Sequence, residues 1–329
     1  MTASGQTSKG TKMINIDQMT DSSEDVRAAE VYERFTQRSS KDDEFSDWAG
    51  YREQLTDFVV RNTRPGASLM ILGSGKCNDL DLGRLAEHCD VITLSDYRPE
   101  TVEEACSRYG LSFSEKLKFS GSDYVGIPDE DYIKYTRLLI KVMEKTGSIK
   151  GESLEETAGK ELAELLDELD QIYLRNKGYD IDLGDQICDN AVASGIHSQL
   201  NNSFRGIFQY VRKDAEDRGL RPEYLEELNS AIFQCTRKHT PDLVRRFNRA
   251  AFSAVKDGII YGYEKNMIYT PEGEKTPVIG TVDGARQAGE EVADFTAEDR
   301  MGCLWPLSRR RGIKFEMNIC YFTRKVLTD

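Results

Sequence analysis

The chain has 329 residues, 39% of them hydrophobic and 9% aromatic, with 57 acidic against 44 basic side chains and a formal charge of −13. That much apolar material supplies a core and excludes wholesale disorder, while the negative balance opposes unspecific binding to phosphate backbones and makes a nucleic-acid partner unlikely. No apolar run approaches the roughly 20 residues of a membrane helix, the polar N-terminus carries no hydrophobic signal segment, and seven cysteines without a C-x-x-C pair beside three histidines argue against a disulfide framework or a metal site. The expectation is a cytoplasmic protein with reduced, mostly buried thiols.

Residues 1–24 are rich in Ser, Thr, Gly and Lys without sustained apolar periodicity, and read as a disordered tail. From Asp25 the positions Val26, Ala29, Val31, Tyr32 and Phe35 predict one helix, and Trp48, Tyr51, Leu55, Phe58 and Val59 a second. Together they form a helical N-terminal cap over 25–64, stopped by Pro65-Gly66. Ser68 to Leu72 is a short apolar run ending in glycines; a helix-like stretch and a second run, Val91 to Leu94, follow. Strand, glycine turn, helix and strand in this order mark a βαβ unit and a parallel sheet.

A third strand is expected near Lys116 to Phe119, closed by a turn over Ser120 to Asp123. From about 128 to 178 the pattern turns into long acidic helices, with Ser153 and Glu156 as a capping-box pair, and reads as a helical insertion. Glu152 to Asp170 holds eight acids and one base. Such a face is usually solvated, though it could recruit a cationic substrate, form a lid or make a homodimer contact. A buried strand at Ala191 to Ser194 is followed by helices over 198–218, 222–237 and 241–255. Gly258 to Tyr269 reads as a strand, and Lys314 to Lys325 as a terminal strand pairing with Cys303 to Trp305. Arg309 to Arg311 is the only compact basic run, which is thin support for RNA binding.

The stretch Leu72-Gly73-Ser74-Gly75-Lys76-Cys77-Asn78-Asp79 carries the chemistry. Glycines after a buried strand let the backbone turn tightly and approach a ligand, and free N–H groups at the next helix can bond it. Asp96 ends the following strand 21 residues past Gly75, where a carboxylate can accept both hydroxyls of a ribose. The bland alternative is a tight turn with Asp96 as a helix cap.

The run MILGSGKCNDLDL, the strand VITLSDY, the turn GSDYVGI and the terminal KFEMNICYFTRK resemble a class I S-adenosylmethionine-dependent methyltransferase, over roughly Trp48 to Lys325. The resemblance implies an α/β, Rossmann-like, seven-stranded and mostly parallel sheet ending in an antiparallel hairpin, so that 65–329 is one methyltransferase domain carrying the insertion. It implies S-adenosyl-L-methionine as cofactor. The GxG loop would surround its methionine part, Asp96 its ribose, and Asp123, with Tyr124 beside it, its adenine. The implied cofactor-binding set is Leu72, Gly73, Ser74, Gly75, Asn78, Asp96, Tyr97, Ser122, Asp123, Tyr124, Ser194 and Gly195. Two positions depart from the pattern: Ile71 stands where an acid is frequent, and Cys77 where a third glycine is common.

Residues after the fourth strand should face the reacting centre. His197 is a candidate general base for an O–H or N–H acceptor, against a bland reading as a core-edge histidine. Tyr263, with Tyr261, could offer an aromatic face to a sulfonium or be half-buried strand residues, with Glu264 on the opposite face. Trp48 and Tyr51 could lid the pocket, though packing against the sheet is their commoner use, and Lys76 could pair with a cofactor carboxylate or be a solvated loop lysine. The expected activity is methyl transfer to a small-molecule or peptide acceptor. A non-catalytic cofactor-binding or scaffolding member is the alternative, and an NAD(P)-dependent oxidoreductase, made less favourable by Asn78 where a third glycine would stand, is the third.

Overall fold

A computed structural model describes residues 23–37, 44–148, 153–184, 187–269, 273–278, 295–309 and 311–324. The tail read over 1–24 lies outside these residues except for Ser23 and Glu24, and so do Glu152 of the acidic run and Arg310 of the basic run. Contacts divide the chain into two compact units, one from segments Met1–Ser39, Ile127–Arg175 and Phe204–Cys235, the other from Ser40–Gly126, Asn176–Ser203 and Thr236–Asp329. The two helices read as one N-terminal cap therefore fall in different units.

The first unit is helical: α1 (Ser23–Thr36), α6 (Asp129–Ser148), α7 (Leu154–Arg175), α8 (Ser203–Asp217) and α9 (Pro222–Arg237). Ser153 caps α7 as expected, its Oγ accepting the Glu156 N–H at 3.2 Å. An aromatic knot joins the helices. Tyr32 stacks on Tyr132 at 5.5 Å, and Tyr132, Tyr135 and Tyr173 crowd Phe204 at 4.9, 4.8 and 5.6 Å. The acidic face of α7 is partly neutralised, with Glu164 paired to Lys141 and Glu168 to Lys134 and Arg175.

The second unit holds the sheet: β1 (Ser68–Leu72), β2 (Val91–Asp96), β3 (Leu117–Gly121), β4 (Cys188–Ser194), β5 (Val255–Tyr269), β6 (Glu274–Pro277), β7 (Phe295–Ser308) and β8 (Ile313–Arg324), with helices α2 (Glu44–Asp47), α3 (Ala49–Asn62), α4 (Leu82–His88), α5 (Pro99–Arg108) and α10 (Thr240–Ser253). The strand order is β3-β2-β1-β4-β5-β8-β7, with β6 paired to β5 off this path as an eighth strand. The first five strands run parallel, and β8 lies antiparallel between β5 and β7. This is the Rossmann-like α/β sheet with an antiparallel C-terminal pair.

The central strands form because SLMIL and the start of VITLSD are apolar runs buried from both sides. On one face Leu55, Phe58 and Val59 of α3 pack with Leu69, Ile71, Leu85, Ile92 and Leu94; each such side chain contributes about 2 kcal/mol through burial. On the other face Phe252 of α10 meets Tyr261 and Phe322. Alternation along β5 puts Ile260, Gly262 and Glu264 toward the α3 layer and Tyr261 and Tyr263 away from it. Chain order reverses between β2-β1 and β4-β5, so a ligand crevice belongs beyond the carboxyl ends of β1 and β4.

The β5–β8 pairing is close enough to require glycine at 258, where a Cβ would stand 2.5 Å from the Phe322 carbonyl oxygen. Gly258→Ala should lower unfolding stability by about 1–3 kcal/mol, read as a reduced urea midpoint; an unchanged midpoint would show that the strands can part without cost.

Candidate active site

The turn after β1 is built from backbone. Gly73 and Gly75 have φ of 67° and 46°, a region glycine enters freely. Cys77 adopts it too, at φ 45°, as the non-glycine residue of the described chain with positive φ. The position where a third glycine is common thus keeps a glycine conformation with a cysteine in it. Cys77 is also fully buried, and that burial pushes its thiol pKa well up.

Two side chains, Asp96 and Tyr124, tie this turn to its neighbours, with Ser95 behind them. Asp96, at the end of β2, accepts the Gly75 N–H on Oδ2 at 2.8 Å and the Arg98 N–H on Oδ1 at 3.1 Å. Burial raises its pKa, and the Arg98, Gly75 and Tyr97 amides oppose the rise. Tyr124, after β3, accepts the Gly73 N–H at 3.0 Å, donates to the Ser95 carbonyl at 2.9 Å, and sits 2.7 Å from Ser95 Oγ. Ser95 Oγ in turn donates to Ser122 Oγ at 2.9 Å. The Gly73 and Ser74 N–H groups also reach the Ser95 carbonyl, at 2.9 and 3.1 Å. The expected free N–H groups of the turn are therefore taken up internally at 73, 74 and 75. What stays open is acceptor capacity on Asp96, since each carboxylate oxygen can take a second bond, together with Ser74 Oγ, which is buried without a partner. Tyr97 projects beside Asp96 and is 55% exposed, enough to offer a ring face.

Other members of the expected set are held by their own structural partners. Asn78 Oδ1 accepts from Arg108 at 2.8 Å, which fixes the turn to α5. Asp123 Oδ1 accepts the Val125 and Gly126 N–H groups at 2.8 and 2.9 Å, closing its own loop. Leu72 is buried at the end of β1. Ser194 Oγ lies 3.0 Å from the Tyr51 hydroxyl. Gly195, with φ 70°, leaves room for Trp305, whose ring a Cβ would meet at 2.9 Å. Lys76 is paired with Glu104 at 2.9 Å.

His197 and Tyr263 make no hydrogen bond to the turn, although the Phe247 ring lies between His197 and Tyr124, at 5.5 and 5.3 Å. His197 is fully buried, 3.3 Å from Asn248 Oδ1, with its ring against Phe247 and Tyr261 at 5.5 and 4.8 Å. Burial lowers its pKa to about 4 against the opposing bonds to Asn248 and the Gly262 backbone. A weak base enclosed by rings on the α10 side fits the core-edge reading of this residue. Tyr263 is half-buried against Tyr261, its hydroxyl accepting from Asn318 at 3.0 Å.

On the α3 side, sequence reasoning missed the main feature. Glu264 has no exposed surface; Oε1 accepts the Ser198 hydroxyl at 2.7 Å and its N–H at 3.3 Å, while Oε2 is buried without a partner. Burial raises its pKa, opposed by the Ser198 hydroxyl and backbone amides. On the same α3 side Trp48, Tyr51 and Trp305 pack ring on ring, Trp305 lying 5.1 Å from Trp48 and 6.0 Å from Tyr51. The half-buried Asp79, just past the turn, has its pKa raised to about 6 by desolvation, with Arg52 opposing. A cavity of 270 Å³ lies elsewhere, lined by Asp180, Leu183, Ile187 and Ala254 at the entry to β4 and β5. No helix among the described residues is long and apolar enough to cross a membrane.

No family model and no curated protein matches the chain. Among solved structures it is similar to the magnesium protoporphyrin IX methyltransferase of Synechocystis with bound SAM, at 10% identity over 90% of each chain and a TM-score of 0.37. It is also similar to the N-methyltransferase NodS of Bradyrhizobium japonicum with S-adenosylhomocysteine, at 10% identity, 91% and 99% coverage and TM-score 0.38. A putative RNA methyltransferase of Pyrococcus horikoshii gives 11%, 91% and 99%, and 0.38.

Left-handed geometry at a non-glycine costs about 1–2 kcal/mol. Cys77→Gly should therefore be more stable in urea unfolding than Cys77→Ala by about 1 kcal/mol; an alanine variant equal to or above the glycine variant would contradict strain at this turn.

For Asp79 the folded pKa, about 6, lies above the unfolded value, so the charged form opposes folding and its cost is fully present only above that pH. Asp79→Asn should stabilise the protein more at pH 8 than at pH 5. An equal effect at both would show that the carboxyl is not desolvated.

Proposed function

We propose that the protein binds S-adenosylmethionine at the carboxyl ends of β1 and β2 and transfers its methyl group by in-line displacement to a small-molecule or peptide acceptor. The observation that carries this reading is the junction of the glycine turn with Asp96 on a sheet whose β8 lies antiparallel between β5 and β7. A nicotinamide-binding sheet does not need that antiparallel ending, and Asn78 with its side chain bonded to Arg108 stands where a G-x-G-x-x-G loop needs glycine.

The residues present fit the cofactor. Asp96 keeps acceptor capacity for two ribose hydroxyls, Tyr97 offers an exposed ring beside it for adenine, and Ser74 brings an unpartnered hydroxyl to the turn. Bound there, the cofactor supplies an electrophilic methyl on a sulfonium. The chain's own part is to hold, orient and exclude water: Tyr124 and Ser95 fix the turn, and the rings of Trp48, Tyr51 and Trp305 make an apolar wall over the ends of β4 and β5. In-line transfer from a sulfonium requires little beyond this, so His197 need not act.

Isothermal titration with S-adenosylhomocysteine tests the reading. The wild type should bind, and Asp96→Ala should weaken binding at least tenfold, equivalent to about 1.4 kcal/mol. No binding by the wild type, or equal binding by the variant, would overturn it. Binding without turnover on any acceptor would favour the non-catalytic alternative, to which the internally satisfied N–H groups of the turn also lend support.

A further inference from the structure

We infer that Glu264 is the residue that receives the methyl acceptor, and that the acceptor group is an amine. The inference deepens the methyl-transfer reading and rests on it.

A buried carboxylate is tolerated when its oxygens are hydrogen-bonded or paired. Glu264 meets that condition on one oxygen only. Ser198 holds Oε1 with both its hydroxyl and its N–H, which fixes the carboxylate and leaves Oε2 buried and unpartnered. Its position is also informative. Glu264 follows Gly262 on β5, and Gly262 is registered opposite Ser194, the last residue of β4, so the carboxylate stands just past the level at which β4 ends, on the side where the acceptor should lie.

The surroundings select a cation or its conjugate amine over a neutral or anionic donor. A carboxylate oxygen that is buried and unpartnered is best satisfied by a charged N–H donor. Trp48, Tyr51 and Trp305, packed ring on ring, keep the neighbourhood of Ser194 apolar, where a charge without a partner is costly. A metal ion is a poorer occupant, because no cluster of three or more His, Cys, Asp or Glu side chains among the described residues could hold one.

The chemistry balances without another reactant. An alkylammonium gives one proton to the Glu264 carboxylate and becomes a neutral amine. The nitrogen lone pair then forms the N–C bond as the C–S bond breaks, the electron pair staying on sulfur, which ends as a neutral sulfide. The product nitrogen carries the positive charge and the added methyl.

Thermal unfolding with matched ligand pairs tests this without relying on turnover. The probes are n-butylamine against n-butanol and phenethylamine against 2-phenylethanol, each with and without saturating S-adenosylhomocysteine. The amines should raise the wild-type Tm by at least about 2 °C through preferential binding to the folded state, the alcohols should not, and Glu264→Gln should abolish the difference. Equal responses to amine and alcohol, or no response to either amine, overturn the inference from the wild type alone, even if the variant fails to fold. An undiminished amine response in a folded Glu264→Gln protein overturns it as well. An amine response lost with Glu264 but no calorimetric binding of S-adenosylhomocysteine would leave the amine site standing and remove the methyl-transfer reading; the reverse pair of results would do the opposite.

Discussion

The contact between the Gly75 N–H and the Asp96 carboxylate joins the ends of β1 and β2 at the point where a ligand crevice must open. A glycine turn is costly to fix, because glycine loses more conformational freedom on folding than any other residue. Here the cost is offset by a closed set of bonds: Asp96 holds Gly75, Tyr124 holds Gly73, and the Ser95 carbonyl takes N–H groups from both Gly73 and Ser74. The turn is rigid before any ligand arrives. These bonds use up its backbone donors and leave acceptor capacity on the Asp96 carboxylate and an unpartnered hydroxyl on Ser74.

This arrangement divides the labour at the strand ends. Beyond β1 and β2 the groups suit a ribose and a flat heterocycle. Just past the level at which β4 ends the groups are of another kind, a buried acid with one satisfied oxygen and three packed rings. The sheet faces account for the separation. Alternation on β5 sends Glu264 toward α3 and Tyr261 toward α10, and the residue that looked most catalytic, His197, ends buried among Tyr261 and Phe247 on the α10 side.

Much of the sheet was legible because β1, β2 and β4 are apolar runs bounded by turn residues, and Asp96 was legible because its spacing from Gly75 repeats a known geometry. β7 was read only at Cys303 to Trp305, yet it runs from Phe295 to Ser308. Its polar residues hide it from a pattern search, since its pairing with β8 comes from backbone bonds that carry no side-chain signature. Tyr124 was expected to contact a cofactor by position, but its bond to Gly73 crosses 51 residues and could not be read from spacing. Glu264 was placed on the correct face; its burial and its half-satisfied carboxylate depend on Ser198, 66 residues away. A lone acid in a strand gives no warning of either.

The claim on which the rest depends is that the junction of the glycine turn and Asp96 holds an adenosyl group. Residue-resolved amide chemical shifts, followed during titration with S-adenosylhomocysteine and separately with NAD, address it most directly. The expected result is that the Gly73, Gly75, Asp96 and Tyr97 signals move with S-adenosylhomocysteine and stay in place with NAD. Shifts confined to other residues, or the same four signals moving only with NAD, would contradict it.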